Sequence, residues 1–228
     1  AAEVSSLLHS LFETDVELSV VHNGLKFSSA TNIVFQGVSF VASVGRYNQD
    51  LSKLKSIFCN IDSNQILSGI DINLGEHVAG GERVPAITQA LLALAQKLGS
   101  SLNAQGIVWH PADIVSGFSY FSEVVADYLA RGAFPVLALV NFKADSDGVI
   151  NSTGLSFFSG QELQIANAAM DQTEIMRRVV RVVHDIAVNG PVTEAVKLDG
   201  IESGEVLELL PLRDGGLLEM KVASVSDA

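Results

Sequence analysis

The feature that most constrains the fold is a long amphipathic helix flanked by two strand-like runs between residues 66 and 109. Its apolar residues recur at steps of three and four, which is the period of a helix with one buried face. Pro85 suits the first turn, and Gly99 lies near the end. Because strands joined through a helix run parallel with a right-handed crossover, we expect residues 66–74 and 105–109 to be neighbours in one sheet.

Two further helices are predicted, at residues 117–130 and 172–188. The second has clear end signals, with Asp171 as its N-cap and Gly190 as its stop. Asp50 indicates another short helix that ends near residue 60 and turns Leu51, Leu54 and Phe58 inward. Strand-like runs cover residues 33–35, 38–44, 135–142, 154–158, 162–165, 205–212 and 217–222. The first two runs are broken at Gly37, and Asp214-Gly215-Gly216 between the last two predicts a terminal hairpin. The apolar run at 135–142 is typical of a central strand, and residues 192–203 are typical of an exposed acidic loop.

The N-terminal part shows its own pattern of a helix at residues 4–12, a strand at 15–21 and a hairpin turn at Asn23-Gly24. The chain has 228 residues, of which 48% are hydrophobic, so it can bury a substantial core. We therefore expect an α+β fold with helices packed on a mixed sheet, in a single domain over residues 1–228. A subdivision after residue 65 is the alternative.

An internal duplication is a further hypothesis. It is based on a short echo, since Gly37-Val38-Ser39-Phe40-Val41 resembles Gly154-Leu155-Ser156-Phe157-Phe158. Chance similarity between apolar strands is the competing explanation.

The charge balance limits the partners. The 26 acidic residues outnumber the 14 basic ones, which gives a net charge of −12, and nucleic-acid binding depends on basic patches. We therefore expect no nucleic-acid partner. Acidic residues concentrate between residues 194 and 208, where they would attract a basic protein. Arg178 and Arg181 fall at helical spacing from Glu174 and Asp185, which predicts a solvated face with exposed ion pairs.

The chain has one cysteine, Cys59, and five histidines that are never within five residues of one another. These counts exclude an internal disulfide and predict no metal site, and nothing indicates a cofactor. The longest strongly apolar stretch, residues 134–142, is far shorter than the ~20 residues that cross a bilayer as a helix. We expect a cytoplasmic protein with no membrane partner.

Familiar catalytic signatures are missing. The sequence has no G-x-S-x-G elbow, no phosphate-binding G-x-x-x-x-G-K-[ST] loop, no G-x-G-x-x-G fingerprint and no H-E-x-x-H pair. The catalytic residues, if the protein is an enzyme, are therefore unknown. Glu162 follows a glycine at the start of a strand-like run, and we expect its side chain to face solvent.

One group of residues, from a loop and the end of a strand, indicates a ligand site. The loop at residues 75–83 delivers glycines, a histidine and an arginine to a helix N-terminus, and residues 109–110 end the strand after that helix. Helix N-termini and the carboxyl ends of parallel strands are favoured places for anions. The candidate residues for a small anionic or planar ligand are His77, Gly80, Gly81, Arg83, Trp109 and His110. The alternative is a simple tight turn beside a core tryptophan.

Two motifs carry a family resemblance. They are Ile107-Val108-Trp109-His110-Pro111 and the segment from Thr153 to Leu163, which reads T-G-L-S-F-F-S-G-Q-E-L. With the closing helix and acidic strand, they resemble an uncharacterised bacterial family known only as a domain of unknown function, over about residues 70–222. The resemblance implies an intracellular α+β protein and transfers no catalytic residue. The sequence departs from the family pattern at Ser159, and its first 65 residues match nothing in that family.

Three functions remain open. The first is a non-catalytic interaction or accessory protein whose acidic surface binds a protein partner of basic character. The second is a small-anion-binding protein or enzyme that uses the loop at 75–83 with Trp109 and His110. The third is a structural subunit of a homo-oligomer, which a mean hydropathy of +0.33 permits.

Overall fold

The computed structural model describes residues 29–47, 50–62, 67–165 and 170–224. The helix expected at 4–12, the strand at 15–21 and the Asn23-Gly24 hairpin lie outside these residues. Within them, five helices and twelve strands in three sheets form an α+β fold, which confirms the predicted class.

The bounds of these elements are as follows. The strands are β1 (Ser29–Phe35), β2 (Val38–Tyr47), β3 (Lys55–Ile57), β4 (Leu67–Leu74), β5 (Gly106–Trp109), β6 (Ile114–Gly117), β7 (Asn141–Ala144), β8 (Ile150–Thr153), β9 (Glu162–Ile165), β10 (Val196–Asp199), β11 (Glu205–Leu212) and β12 (Leu217–Ser224). The helices are α1 (Pro85–Ser101), α2 (Phe118–Leu129), α3 (Val136–Leu139), α4 (Ser156–Ser159) and α5 (Gln172–Asn189).

Sheet A contains three antiparallel strands in the order β1-β2-β4. The turn between β1 and β2 consists of Gln36 and Gly37, which both have positive φ angles, of 51° and 77°. Such turns match the natural twist of a two-stranded hairpin. The strand break predicted at Gly37 is therefore confirmed.

Sheet B has the order β3-β6-β5, with β3 parallel to β6 and β5 antiparallel to β6. The expected strand–helix–strand unit at residues 66–109 is therefore wrong, because β4 belongs to sheet A and β5 to sheet B. After β5 the chain makes a short 3-10 turn, His110–Ala112, and Asp113 takes a left-handed conformation. This reversal pairs β5 with β6, which follows at once, and a short loop costs less entropy to close than a long crossover.

Sheet C has the order β10-β11-β12-β9-β8-β7. Its one parallel pair among the described strands is β9 with β12, and the chain between them includes α5. The terminal hairpin of β11 and β12 is confirmed. β10 lies at one edge, within the segment that the sequence predicted as a loop, so that prediction is wrong for Val196–Asp199.

Two apolar segments fold differently from their predictions. Residues 135–142 form the short helix α3 and the start of the edge strand β7, because Val136, Leu139 and Val140 are buried at helical spacing while Leu137 is exposed. Residues 154–158 enter α4 through Gly154, whose φ angle is 98°.

The proposed duplication depended on that second segment. Residues 37–41 lead into β2, whereas residues 154–158 lead into a helical turn, so the two segments have different backbone conformations. The duplication inferred from them is therefore wrong.

The segment after Asp50 also differs. Asp50 caps as predicted, because its carboxylate accepts a hydrogen bond of 3.0 Å from the Ser52 amide, but the turn spans only Leu51–Lys53. The chain then enters β3, and Phe58 is 77% exposed rather than buried. The parallel pairing of β3 with β6 replaces the expected helix.

The helices pack on the sheets through a shared core. Buried side chains from the three sheets and from α1, α2 and α5 form one hydrophobic cluster. Leu91, Leu94 and Leu98 of α1 are buried, as the periodicity predicted. The assignment of a single domain stays a prediction.

A buried ion pair joins α5 to sheet C. Arg178 donates two hydrogen bonds of 2.6 Å to the carboxylate of Glu205, and the two side chains are only 5% and 8% exposed. A third guanidinium hydrogen bond, of 2.8 Å, reaches the carbonyl oxygen of Glu174. The solvated face predicted for Arg178 and Arg181 is therefore wrong for Arg178. Arg181 is exposed as predicted, but it donates to the carbonyl oxygen of Gly200. Each arginine finds a partner in the β10–β11 region, far away in sequence.

The first prediction concerns the close approach of β6 to the chain after β3. A Cβ atom on Gly117 would lie 2.1 Å from the carbonyl oxygen of Phe58, whereas one on Gly69 in β4 would meet nothing within 4 Å. We expect Gly117→Ala to lower the free energy of unfolding in urea by about 1 to 3 kcal/mol, because the backbone must shift. Gly69→Ala is the control, and equal stability of the two variants would contradict the packing described.

The second prediction concerns the Arg178–Glu205 pair. Arg178→Met leaves a buried carboxylate without its partner, and we expect a loss of about 3 to 5 kcal/mol. Arg177→Met, on the exposed face of the same helix, should change little. The double variant Arg178→Met with Glu205→Leu should recover most of the loss, because it leaves no buried charge. A double variant as unstable as the single one would refute this account.

The same pair predicts a pH dependence. Hydrogen bonds from Arg178 hold the pKa of Glu205 below its ordinary value of 4.5. The unfolded chain therefore binds a proton more readily than the folded chain, so this stabilisation is present above pH 4.5 and is lost as the pH falls through the lower folded value. Acid unfolding curves of the wild type and of the double variant should converge at low pH.

Candidate functional site

The loop that was predicted to bind a ligand lies at the protein surface. His77, Gly80 and Arg83 are exposed, and Gly81 is half-buried. Gly80 has a φ angle of 83° with open space around its Cα, as a tight turn requires. α1 begins after Val84 without a side-chain cap.

Trp109 lies in an aromatic cluster. Its indole is 9% exposed and contacts the rings of Phe157 and Phe158, with centroid distances of 5.0 and 5.8 Å. Phe134 contacts Phe158 in turn, at 4.9 Å. His110, the next residue along the chain, is exposed. The indole is therefore part of the core, although its Nε1 atom has no hydrogen-bond partner among the described residues.

The structure brings two of the predicted residues to one segment. The Arg83 guanidinium lies against Gly160, where an added Cβ would be 2.7 Å from the Arg83 Cζ atom. Trp109 contacts Phe157 and Phe158 just before that glycine. Among the described contacts, none joins Gly80 or Gly81 to Trp109. A ligand role for these six residues stays a prediction.

Glu162 organises the turn before it, and the expectation that it faces solvent is wrong. Its carboxylate accepts hydrogen bonds from the hydroxyl and amide of Ser156, at 2.6 and 3.1 Å, from the Gly154 amide at 2.9 Å and from the Ser152 hydroxyl at 2.5 Å. Carboxylates that accept several donors are strong organising groups. The serines and glycine that precede Glu162 in the sequence were the available signal for this role.

Gln161 connects the same turn to two distant loops. Its buried amide donates to the carbonyl oxygens of Val192 and Gly215, at 2.9 and 2.7 Å, and accepts from the Val192 amide at 2.9 Å. The segment from Thr153 to Leu163, which carries part of the family resemblance, therefore forms a hydrogen-bond network that stabilises the fold. The sequence could not show this network, because its partners lie 31 and 54 residues away.

A groove lies between α5 and β10. It has a volume of 430 Å³. One wall is a face of α5, and the floor is the edge strand β10. The lining residues are Arg181, Val182, His184, Asp185, Lys197, Leu198 and Asp199.

The floor of this groove exposes main-chain hydrogen-bonding groups. The Gly200 amide bonds to the Glu205 carbonyl oxygen at 2.8 Å, which makes these residues a hydrogen-bonded pair in the ladder of β10 with β11. In an antiparallel ladder, hydrogen-bonded and non-hydrogen-bonded pairs alternate. The backbone groups of Lys197 and Asp199 therefore point away from β11, toward the edge of sheet C with which no described strand pairs, called the free edge below.

The cations of the groove are engaged within the chain. Arg181 donates to the Gly200 carbonyl oxygen at 2.7 Å, and Lys197 pairs with Glu208 at 2.7 Å, which lowers the pKa of Glu208. His184 accepts a hydrogen bond from the Phe134 amide through Nδ1, so a neutral imidazole carries its proton on Nε2. Within the described part of the chain, Asp185 and Asp199 form no ion pair. The groove therefore offers two carboxylates to a partner.

Comparison of the chain with protein-family models, with curated proteins and with solved structures gave no match. The family resemblance noted from the sequence stays a prediction. Over the described ranges, no group of three or more His, Cys, Asp and Glu side chains is arranged to hold a metal ion, and no helix is long and apolar enough to span a membrane.

The third prediction tests the structural role of Glu162. Glu162→Gln places an amide NH₂ group among hydrogen-bond donors, and we expect the free energy of unfolding to fall by about 1 to 3 kcal/mol. Glu174→Gln, on the exposed first turn of α5, is the control for loss of one charge. Denaturant unfolding measures both. Equal stabilities would mean that the carboxylate does not organise the turn.

Proposed function

We propose that the protein is a non-catalytic interaction protein that binds an extended, basic segment of a partner along the free edge of β10. The observation that carries this proposal is the set of outward-facing backbone groups of Lys197 and Asp199 at the floor of the groove. A peptide that adds a strand to a sheet edge gains main-chain hydrogen bonds there, and side-chain pockets supply specificity.

The shape of the groove suits a strand. β10 provides one edge for pairing, and α5 provides a wall against which alternate side chains of an added strand would pack. Val182 and Leu198 line this space, and Val188 and Val196, on the same two elements, are exposed. Apolar positions beside a free backbone edge are what strand addition requires.

The charge favours a basic partner. Asp185 and Asp199 line the groove, and Glu194 and Glu202 are exposed on either side of β10. The net charge of −12 would steer a cationic segment toward this surface and would repel a second copy of the chain.

The setting of this interaction is also part of the proposal. We place it in the bacterial cytoplasm, on the resemblance over about residues 70–222 and on the lone Cys59, which suits a reducing compartment. The predicted small-anion site at loop 75–83 is not the basis of this function.

The fourth prediction uses peptides of alternating lysine and valine, labelled for fluorescence anisotropy, with glutamate–valine peptides as the charge-reversed probe. We expect the lysine–valine peptide to bind more tightly and to lose affinity as the salt concentration rises, because exposed charges are screened. Equal affinity for the two peptides would contradict a basic partner.

Variants at Asp199 separate the backbone from the charge. Asp199→Pro removes an amide that points outward, so the ladder with β11 is kept, and proline is tolerated at such edge positions. We expect it to weaken binding by about fivefold to tenfold, as expected for a lost hydrogen bond. Asp199→Asn should weaken binding through the charge alone. The control, Glu123→Gln on the exposed face of α2, should have no effect.

Two outcomes would overturn the proposal. One is an affinity that neither Asp199 variant alters. The other is a homodimer, seen by light scattering, that Asp199→Pro dissociates, since the occupant of the edge would then be a second copy of this chain.

A further inference from the structure

The start of β7 lies beside the turn that joins β5 and β6 of sheet B, because a Cβ atom on Gly154 would be 2.7 Å from the Cβ of Ala112 and 3.0 Å from the carbonyl oxygen of Leu139. Sheet B and β7 each carry a lysine that forms no ion pair with a described residue. Burial lowers the pKa of Lys55 on β3, and the charge of Lys143 on β7 lowers it further. The three ion pairs of the described residues use Arg178, Lys197 and Lys221. In a chain with 26 acidic and 14 basic residues, two cations that form no ion pair among the described residues are left to attract an external anion.

The strand register shows what lies beside these lysines. Lys55 pairs with Ile114, which pairs with Trp109, so the three residues form one row across sheet B. Residues in a row project from the same face, and the outer two are about 10 Å apart, which is two strand spacings. Ser116 lies two residues along β6 from Ile114 and shares this face.

Sheet B and β7 also hold buried polar atoms that have no hydrogen-bond partner among the described residues. Among the described residues, they are the indole Nε1 of Trp109, the hydroxyl of Ser116 and both amide atoms of Asn141. Ser116 and Asn141 are each 1% exposed. Asn141 lies two residues before Lys143 on β7, so both side chains project from one face of that strand. A buried polar group without a hydrogen bond is costly, and a bound ligand removes that cost.

We propose that sheet B and β7 enclose a binding site for a small oxyanion, a carboxylate or phosphate group. Lys55 and Lys143 supply positive charge at its rim, and Trp109, Ser116 and Asn141 donate hydrogen bonds from its interior. The chemistry selects an anion, because the indole N–H and the two ammonium groups are donors only. Of the ligand residues predicted from the sequence, this site includes only Trp109. Its other residues come from β3, β6 and β7 rather than from the loop at residues 75–83. It shares no residue with the groove of the proposed function.

The protein supplies its own probe, because Trp109 is its only tryptophan and gives a single indole N–H resonance. Titration of the ¹⁵N-labelled protein with inorganic phosphate and, separately, with succinate distinguishes the two oxyanion classes. We expect a saturable shift of this resonance with at least one of them. Lys143→Gln should weaken the binding by about tenfold or more, as expected for the loss of a charged hydrogen-bond donor. Lys221→Gln, an exposed lysine on β12, is the matched control and should bind as the wild type does.

A second variant separates binding from folding. Asn141→Leu replaces an unpartnered amide with an apolar side chain of similar size, so we expect an equal or higher melting temperature together with weaker anion binding. The absence of a saturable shift with either anion would overturn the proposal. So would a shift that persists unchanged in both Lys143→Gln and Asn141→Leu.

Discussion

The buried pair of Arg178 and Glu205 is the interaction on which the arrangement of the C-terminal half depends. It joins α5 to the first residue of β11, and β10 is the strand that pairs with β11. A guanidinium removed from water requires its carboxylate, so α5 has little freedom to slide along the sheet. Arg181 adds a hydrogen bond to Gly200 at the end of β10. These contacts place α5 beside a strand edge that pairs with no other described strand, and this is the geometry that the proposed interaction uses.

Apolar periodicity, capping residues and turn residues in the sequence predicted the helices and the hairpin that depend on neighbouring residues alone. The period of the apolar residues identified α1, α2 and α5, and Asp171 caps α5 by accepting hydrogen bonds from the amides of Thr173 and Glu174. The hairpin of β11 and β12 followed from a glycine-containing turn. The sequence did not predict which sheet each strand joins. Sheet membership depends on which strand edges remain free once strands that are close in sequence have paired. β6 follows β5 so closely that it pairs with it, and β4 pairs with β2 instead.

The functional residues were less predictable for the same reason. Trp109 was singled out from its position at a strand end, and it belongs to the proposed anion site, but the lysines of that site, Lys55 and Lys143, come from segments without any motif. Their strands approach only in the folded chain, where a Cβ atom on Gly154 would lie 2.7 Å from the Cβ of Ala112 and 3.0 Å from the carbonyl oxygen of Leu139. Glu162 was expected at the surface. The serines and glycine before it were a signal, but residue type alone does not show that the chain folds back to bring three of these donors to its carboxylate. β10 was missed because three of its four residues are exposed and only Leu198 is half-buried, which gives no alternating burial pattern.

The central claim is that the edge of β10 beside α5 accepts an added strand. Residue-resolved amide hydrogen exchange tests it most directly, because the amides of Lys197 and Asp199 point to the free edge while that of Leu198 bonds to β11. The account predicts that saturation with a lysine–valine peptide slows exchange at Lys197 and Asp199 and changes Leu198 far less. Unchanged exchange at Lys197 and Asp199 in the peptide-bound protein would contradict it.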